Sequence, residues 1–99
     1  MDIRVQAVHF DVDSKLVDFT RQKVSKLETY FNQIVDAEVF LKLDNDGSQI
    51  RGKIAEIRVK VPGQTLFATG KTKQFEESVV LAAESLRRQI KRYKDKLKK

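Results

Sequence analysis

The last quarter of the chain carries an apolar line at helical spacing. Phe75, Val79, Ala82, Ala83, Leu86, Ile90, Tyr93 and Leu97 recur every three or four residues, which at ~100° per residue puts them along one edge of a helix. A helix running from about Lys73 almost to the end, with a single apolar edge, has to lay that edge on another layer of structure. The rest of the chain supplies a sheet. Ile3, Val5 and Ala7 alternate with Arg4 and Gln6 between Asp2 and Phe10, and Ala37, Val39, Leu41 and Leu43 alternate with Glu38, Phe40 and Lys42. Leu66, Ala68 and Gly70 mark the inner side of a further strand. Period-two alternation of this kind reads as half-buried strand.

The segment from Ile50 to Val61 is long and changes phase: Ile50 and Ile54 are even-numbered, whereas Ile57, Val59 and Val61 are odd. A bulge near Ile54-Ala55 would reconcile the two halves. Asp44-Asn45-Asp46-Gly47 and Pro62-Gly63 are turn sequences, with Gly47 able to take a positive φ. Between the first two strands, Asp13 is placed as an N-cap, with Val12 and Val17 disposed as a hydrophobic staple. A first helix then runs to about Phe31 on the stripe Leu16, Thr20, Val24, Leu27 and Phe31, which Tyr30 flanks. Asn32-Gln33 ends it, and Ile34 and Val35 are expected to pack beneath the turn.

The order β-α-β-β-β-α, with one apolar stripe per helix and one apolar face per strand, predicts an α+β two-layer sandwich. Both helices lie on one face of a four-stranded, mostly antiparallel sheet. The helix joining the first two strands allows them to pair in parallel. The 99 residues fit one domain, 1–99. Cysteine is absent, which excludes disulfides and thiolate metal sites. No apolar run approaches a membrane span, and Met1 leads straight into a strand pattern. The expectation is a cytoplasmic protein without a membrane partner.

Catalysis has little to work with. His9 is the lone histidine, the serines have no base placed near them by any motif, and Asp44 and Asp46 are turn residues. Gly47, Gly52, Gly63 and Gly70 form no phosphate-binding fingerprint. The reading is of a non-enzyme with no metal, cofactor or small-molecule substrate.

Charge is more informative. Residues 85–99 hold eight basic side chains and one acidic, whereas residues 1–84 hold 12 basic and 13 acidic. The net excess of +6 therefore sits in the final fifteen residues. A helix dipole favours cations within its last turn only, and Arg87 and Arg88 lie well before it. A block this local implies a polyanionic partner. With the apolar stripe at 0°, Arg87, Lys91, Lys94 and Lys98 fall at roughly 80–140°, and Arg88, Arg92, Lys96 and Lys99 at roughly 200–280°. On the first helix Lys15, Lys23 and Lys26 share one flank and extend that field. A rival surface exists on the open face of the sheet, where Phe40 and Phe67 share parity with Arg4 and Arg58 and would be placed to stack bases. The strands lack the Gly-Phe-rich sequence of a base-stacking sheet, so the helical face ranks above it.

The runs Lys26-Leu27-Glu28-Thr29-Tyr30-Phe31 and Glu84-Ser85-Leu86-Arg87-Arg88-Gln89-Ile90-Lys91-Arg92-Tyr93-Lys94-Asp95-Lys96-Leu97-Lys98 resemble the two helices of the ribosome hibernation-promoting factor family. That family includes the ribosome-associated inhibitor and was formerly called the sigma-54 modulation proteins. The resemblance spans nearly the whole chain, including the Leu66-Phe67-Ala68-Thr69-Gly70 strand. It implies a fold like a double-stranded-RNA-binding domain. It also implies a bacterial factor of stress or stationary phase that binds ribosomal RNA in the decoding channel of the small subunit and blocks messenger and transfer RNA. Carried over residue by residue, the RNA-binding set is Lys23 and Lys26 from the first helix and Arg88, Lys91, Arg92, Lys94 and Lys96 from the second. Arg87 joins on charge alone. Many relatives open the second helix with aspartate-methionine-tyrosine where this chain reads Gln74-Phe75-Glu76, so only the apolar anchor carries over there. Ending at Lys99, the chain resembles the short form, expected to be a monomer when free and unable by itself to join two ribosomes. The alternative reading is a protein-binding regulator of the transcription-factor-modulating type.

Overall fold

The computed structural model describes residues 1–46 and 49–98. The elements are β1 (Asp2–Ala7), α1 (Ser14–Ser25) continued by a 3₁₀ turn (Lys26–Thr29), β2 (Asp36–Asp46), β3 (Gln49–Val61), β4 (Gln64–Thr72) and α2 (Phe75–Leu97). The sheet order is β1-β2-β3-β4. The β1–β2 pair is parallel and the other two are antiparallel. The crossover through α1 is what makes the first pair parallel.

Register turns the alternation of the sequence into rows across the sheet. On the inner face, Ile3, Ala37, Val59 and Leu66 form one row, and Val5, Val39, Ile57 and Ala68 the next. The third row runs Ala7, Leu41, Ala55 and Gly70. Val39, Leu41, Ile57 and Val59 are wholly buried there, together with Val79, Leu86 and Ile90 of α2. Loss of bulk at the Gly70 end of the third row lets α2 come down onto β4. A Cβ built on Gly70 would lie 2.1 Å from the Ser78 carbonyl oxygen. The Ser78 hydroxyl, buried in this contact, donates to the Lys53 carbonyl at 2.6 Å and accepts the Thr72 amide at 2.9 Å.

Several sequence expectations shift in detail. The bulge lies opposite Asp44/Asn45, whose partners are Gly52 and Ile50, rather than at Ile54-Ala55. Ile54 keeps the outer-face phase, paired with Lys42 and Lys71, so the odd-numbered inner set runs unbroken up to the bulge. The Gly47 turn lies outside the described residues. The α-helical part of α1 stops at Ser25 and tightens into the 3₁₀ turn, with the Ser25 and Thr29 hydroxyls bonding the Gln22 and Lys26 carbonyls. Hydroxyls that capture local carbonyls compete with the helical ladder in this way. Ile34 is buried, but Val35 is half exposed. Asp13 caps α1 as expected, accepting from the Lys15 amide.

α2 begins at Phe75, two residues later than expected, and its N-cap Gln74 makes no side-chain cap. The Thr72 hydroxyl bonds the Gln74 backbone instead. Leu97 ends the apolar stripe in sequence yet is exposed. Tyr93 already reaches the β3–β4 turn, donating to the Pro62 carbonyl at 2.6 Å, so the next helical turn overhangs the sheet. Gly63 in that turn has φ 86°, the value demanded at the third position of a type II turn after proline.

Candidate nucleic-acid interface

Two aromatic pairs set the spacing of the helices. Phe10, just before α1, stacks on Phe75 at the start of α2, with ring centroids 5.2 Å apart. Phe31, just beyond the 3₁₀ turn, meets Tyr93 edge-on at 5.3 Å. Starts are tied to starts and ends to ends, so the two helices run in the same direction with a groove between them. Phe75 thus fills the anchor position of its departing Gln74-Phe75-Glu76 segment by stacking on Phe10.

Five of the eight expected RNA-binding side chains converge on this groove. Lys23, Lys26 and Arg87 line a hollow of about 250 Å³ floored by Leu27 and Ala83. Arg87, Lys91 and Lys94 line the adjoining one with Thr29 and Tyr30. The helical geometry of α2 explains the grouping: Arg87, Lys91 and Lys94 share the flank that faces α1. Arg88, Arg92 and Lys96 occupy the other flank, above the free edge of β4, where Gln89 donates to the Phe67 carbonyl at 2.9 Å. That bond covers one backbone acceptor of an edge strand. The expected set is therefore one basic helix with two distinct flanks, only one of which forms a groove. Lys99 lies outside the described residues.

Within the groove, Glu84 holds Arg87: Nε and Nη2 donate to Oε2 at 3.3 and 3.2 Å. Among the described residues, Arg87 alone of the eight is in an ion pair. Lys23 lies 5.4 Å from the centroid of the Phe19 ring. The remaining cations face solvent, as a phosphate-binding surface requires.

The rival sheet surface is occupied by its own side chains. The Arg58 guanidinium sits between Phe40 and Phe67, at 5.5 and 6.0 Å from their centroids, and both phenylalanines are thereby engaged by a cation. Arg4 pairs with Glu38 at 3.5 Å and Lys42 with Glu56 at 3.0 Å, so charges on this face largely cancel in place. Sequence reasoning missed a different feature. Val80 and Leu81 are exposed on α2 and form an apolar hollow with Phe19, rimmed by Glu76 and Glu77. Their positions fall outside the helix's stripe, and no periodicity flags them. Among the described residues, no group of three or more His, Asp or Glu side chains could hold a metal ion. No helix among them is long and apolar enough to cross a membrane.

Residues 3–98 match the family described as Sigma 54 modulation protein / S30EA ribosomal protein. The chain belongs to that family. The S30EA family comprises ribosome-associated factors and not enzymes. A ribosome hibernation promoting factor of Pseudomonas putida is 24% identical over 96 residues, covering 97% of this chain and 89% of that one. A ribosome hibernation promotion factor of Bacillus subtilis is 30% identical over 101 residues, and the match covers 98% of this chain but 50% of that longer protein. A ribosomal subunit interface protein from Coxiella burnetii has the same fold, with a TM-score of 0.85 at 22% identity over 96% of this chain and 99% of that one.

Proposed function

We propose that this S30EA-family protein binds ribosomal RNA of the small subunit in the decoding channel through the inter-helix groove and the free flank of α2. Bound there, it excludes messenger and transfer RNA and silences translation. The observation that carries the reading is the convergence of Lys23, Lys26, Arg87, Lys91 and Lys94 on one groove, backed by Arg88, Arg92 and Lys96 on the same helix. Lysine and arginine contacts to phosphate supply affinity and register without reading bases. Inhibition then needs no bond to be made or broken, because occupancy of the channel is itself the block.

The experiment is cosedimentation with purified small ribosomal subunits. Replacing Arg88, Lys91 and Arg92 together with glutamine is expected to abolish pelleting while the thermal unfolding midpoint stays near that of the wild type, since all three side chains are exposed. A triple variant that pellets like the wild type would remove these residues from the site.

The second reading, a protein-binding regulator, has the apolar Phe19-Val80-Leu81 hollow in its favour. Partner capture that ignores both salt and ribonuclease would favour it over RNA binding.

A further inference from the structure

The chain has eight aromatic side chains, six Phe and two Tyr. Seven have a ring or a cation against them. Phe10 stacks on Phe75, Phe31 packs on Tyr93, Lys23 lies over Phe19, and Arg58 bridges Phe40 and Phe67. Tyr30 is the exception: among the described residues its ring has no such partner and its hydroxyl no hydrogen bond. It is 42% exposed, although its neighbour Phe31 turns inward. The backbone fixes this position, since Tyr30 closes the 3₁₀ turn with its amide on the Leu27 carbonyl at 3.1 Å.

An exposed ring is a common surface feature, but the surroundings of this one are specific. Tyr30 lines both hollows of the basic groove, the one with Lys23, Lys26 and Arg87 and the one with Lys91 and Lys94. Cations thus lie along the groove on either side of a flat, unpartnered aromatic face. That is the arrangement by which proteins hold unpaired nucleotides: backbone phosphates track the charges while a base stacks on the ring. A duplex keeps its base faces stacked on one another and offers the ring nothing but an edge. Resting on the RNA-binding reading above, we propose that Tyr30 is a base-stacking platform and that the groove takes an unpaired, splayed-out nucleotide in preference to double-stranded RNA.

The test compares the intact protein and three variants, using two probes: a short single-stranded oligoadenylate and an abasic ribose-phosphate oligomer of the same length. Tyr30→Ala is expected to weaken oligoadenylate binding about 5- to 150-fold and to leave binding of the abasic oligomer unchanged. Tyr30→Phe should retain wild-type affinity for both. The chain has no tryptophan, so Tyr30→Trp supplies a single indole whose fluorescence should be quenched by oligoadenylate and not by the abasic oligomer. Equal losses on both probes, no loss on either, or an unquenched indole would overturn the stacking role. Wild-type protein that binds neither the oligomers nor small ribosomal subunits would instead overturn the RNA-binding reading beneath it. Because the ring is exposed, the thermal midpoint of Tyr30→Ala should match the wild type, which separates lost stacking from lost fold.

Discussion

At the scale of single residues, two positions carry consequences out of proportion to their size. Gly70 has no side chain where α2 meets β4, and the backbone oxygen of Ser78 occupies the place a methyl group would take. Backbone cannot swing aside like the end of a flexible side chain. Gly70→Ala is therefore expected to cost about 1–3 kcal/mol, read as a drop in thermal midpoint of at least ~4 °C. Ser78→Ala probes the same contact differently, by leaving the Lys53 carbonyl and Thr72 amide without their hydroxyl partner. Orphaned polar groups at a buried site cost about 1–3 kcal/mol, measurable in urea unfolding. Glu84 is the other position. As an acid within the basic groove, it engages Arg87 and repels any phosphate there. Glu84→Gln frees the guanidinium and removes a negative charge, and it should tighten binding to small ribosomal subunits. Weaker binding by that variant would mean that Glu84 orients Arg87 rather than competing for it.

At the scale of elements, α2 does two jobs on different sides. Its Val79, Leu86 and Ile90 edge packs into the core, and the exposed side of its C-terminal half carries the cations. The two basic flanks are separable by mutation because none of their side chains is among the buried core residues. One flank, Arg87, Lys91 and Lys94, closes a groove with the 3₁₀ turn, where a ligand meets charge from two elements at once. The other, Arg88, Arg92 and Lys96, projects above the edge of β4 with no facing helix. Substituting Lys26, Arg87 and Lys91 together with glutamine should weaken ribosome binding more than the same treatment of Arg88, Arg92 and Lys96. Each set removes three charges, so a purely non-specific cationic surface would respond equally to both. Pelleting assays at one fixed salt concentration distinguish these outcomes.

At the scale of the molecule, the charge is polar along its length: acids at the start of α2, cations towards its end, and a net +6 for the chain. A long body of 51 × 23 × 19 Å with its charge at one end presents that end to a polyanion. If roughly six cations release counterions on binding, log affinity should fall with log salt at a slope of roughly −4 to −5. A flat salt dependence would leave the electrostatic account without support. The same binding mode predicts competition: in a reconstituted system, saturating protein should reduce initiator transfer RNA binding to the small subunit. Undiminished transfer RNA binding at full occupancy would place the protein elsewhere on the ribosome.

Local alternation and helical spacing are properties of neighbours in the chain, and they were enough to place six elements, the basic block of α2 and the inner faces of the strands except at the start of β3, where Ile54 turned out to face outward. Val39, Ile57, Leu86 and Ile90 could be assigned to the core because each follows the period of its own segment. What periodicity cannot contain is contact between segments. The bulge opposite Asp44/Asn45 depends on which residues of β2 and β3 face each other. The exposure of Leu97 depends on where the sheet ends beneath α2. The inward Phe31 and outward Tyr30 depend on the 3₁₀ turn and on Tyr93, which lies far along the chain. The candidate site divides the same way. Charge and helical angle made the cations legible, whereas the groove exists only because two aromatic pairs hold α1 beside α2. Chain order alone carries the elements, most of their buried faces and the sign of the surface, since each is set by residues within a few positions of one another. Which flank of α2 meets a second helix, and which ring is left without a partner, emerge on folding, because both depend on distances between residues that the chain order does not bring together.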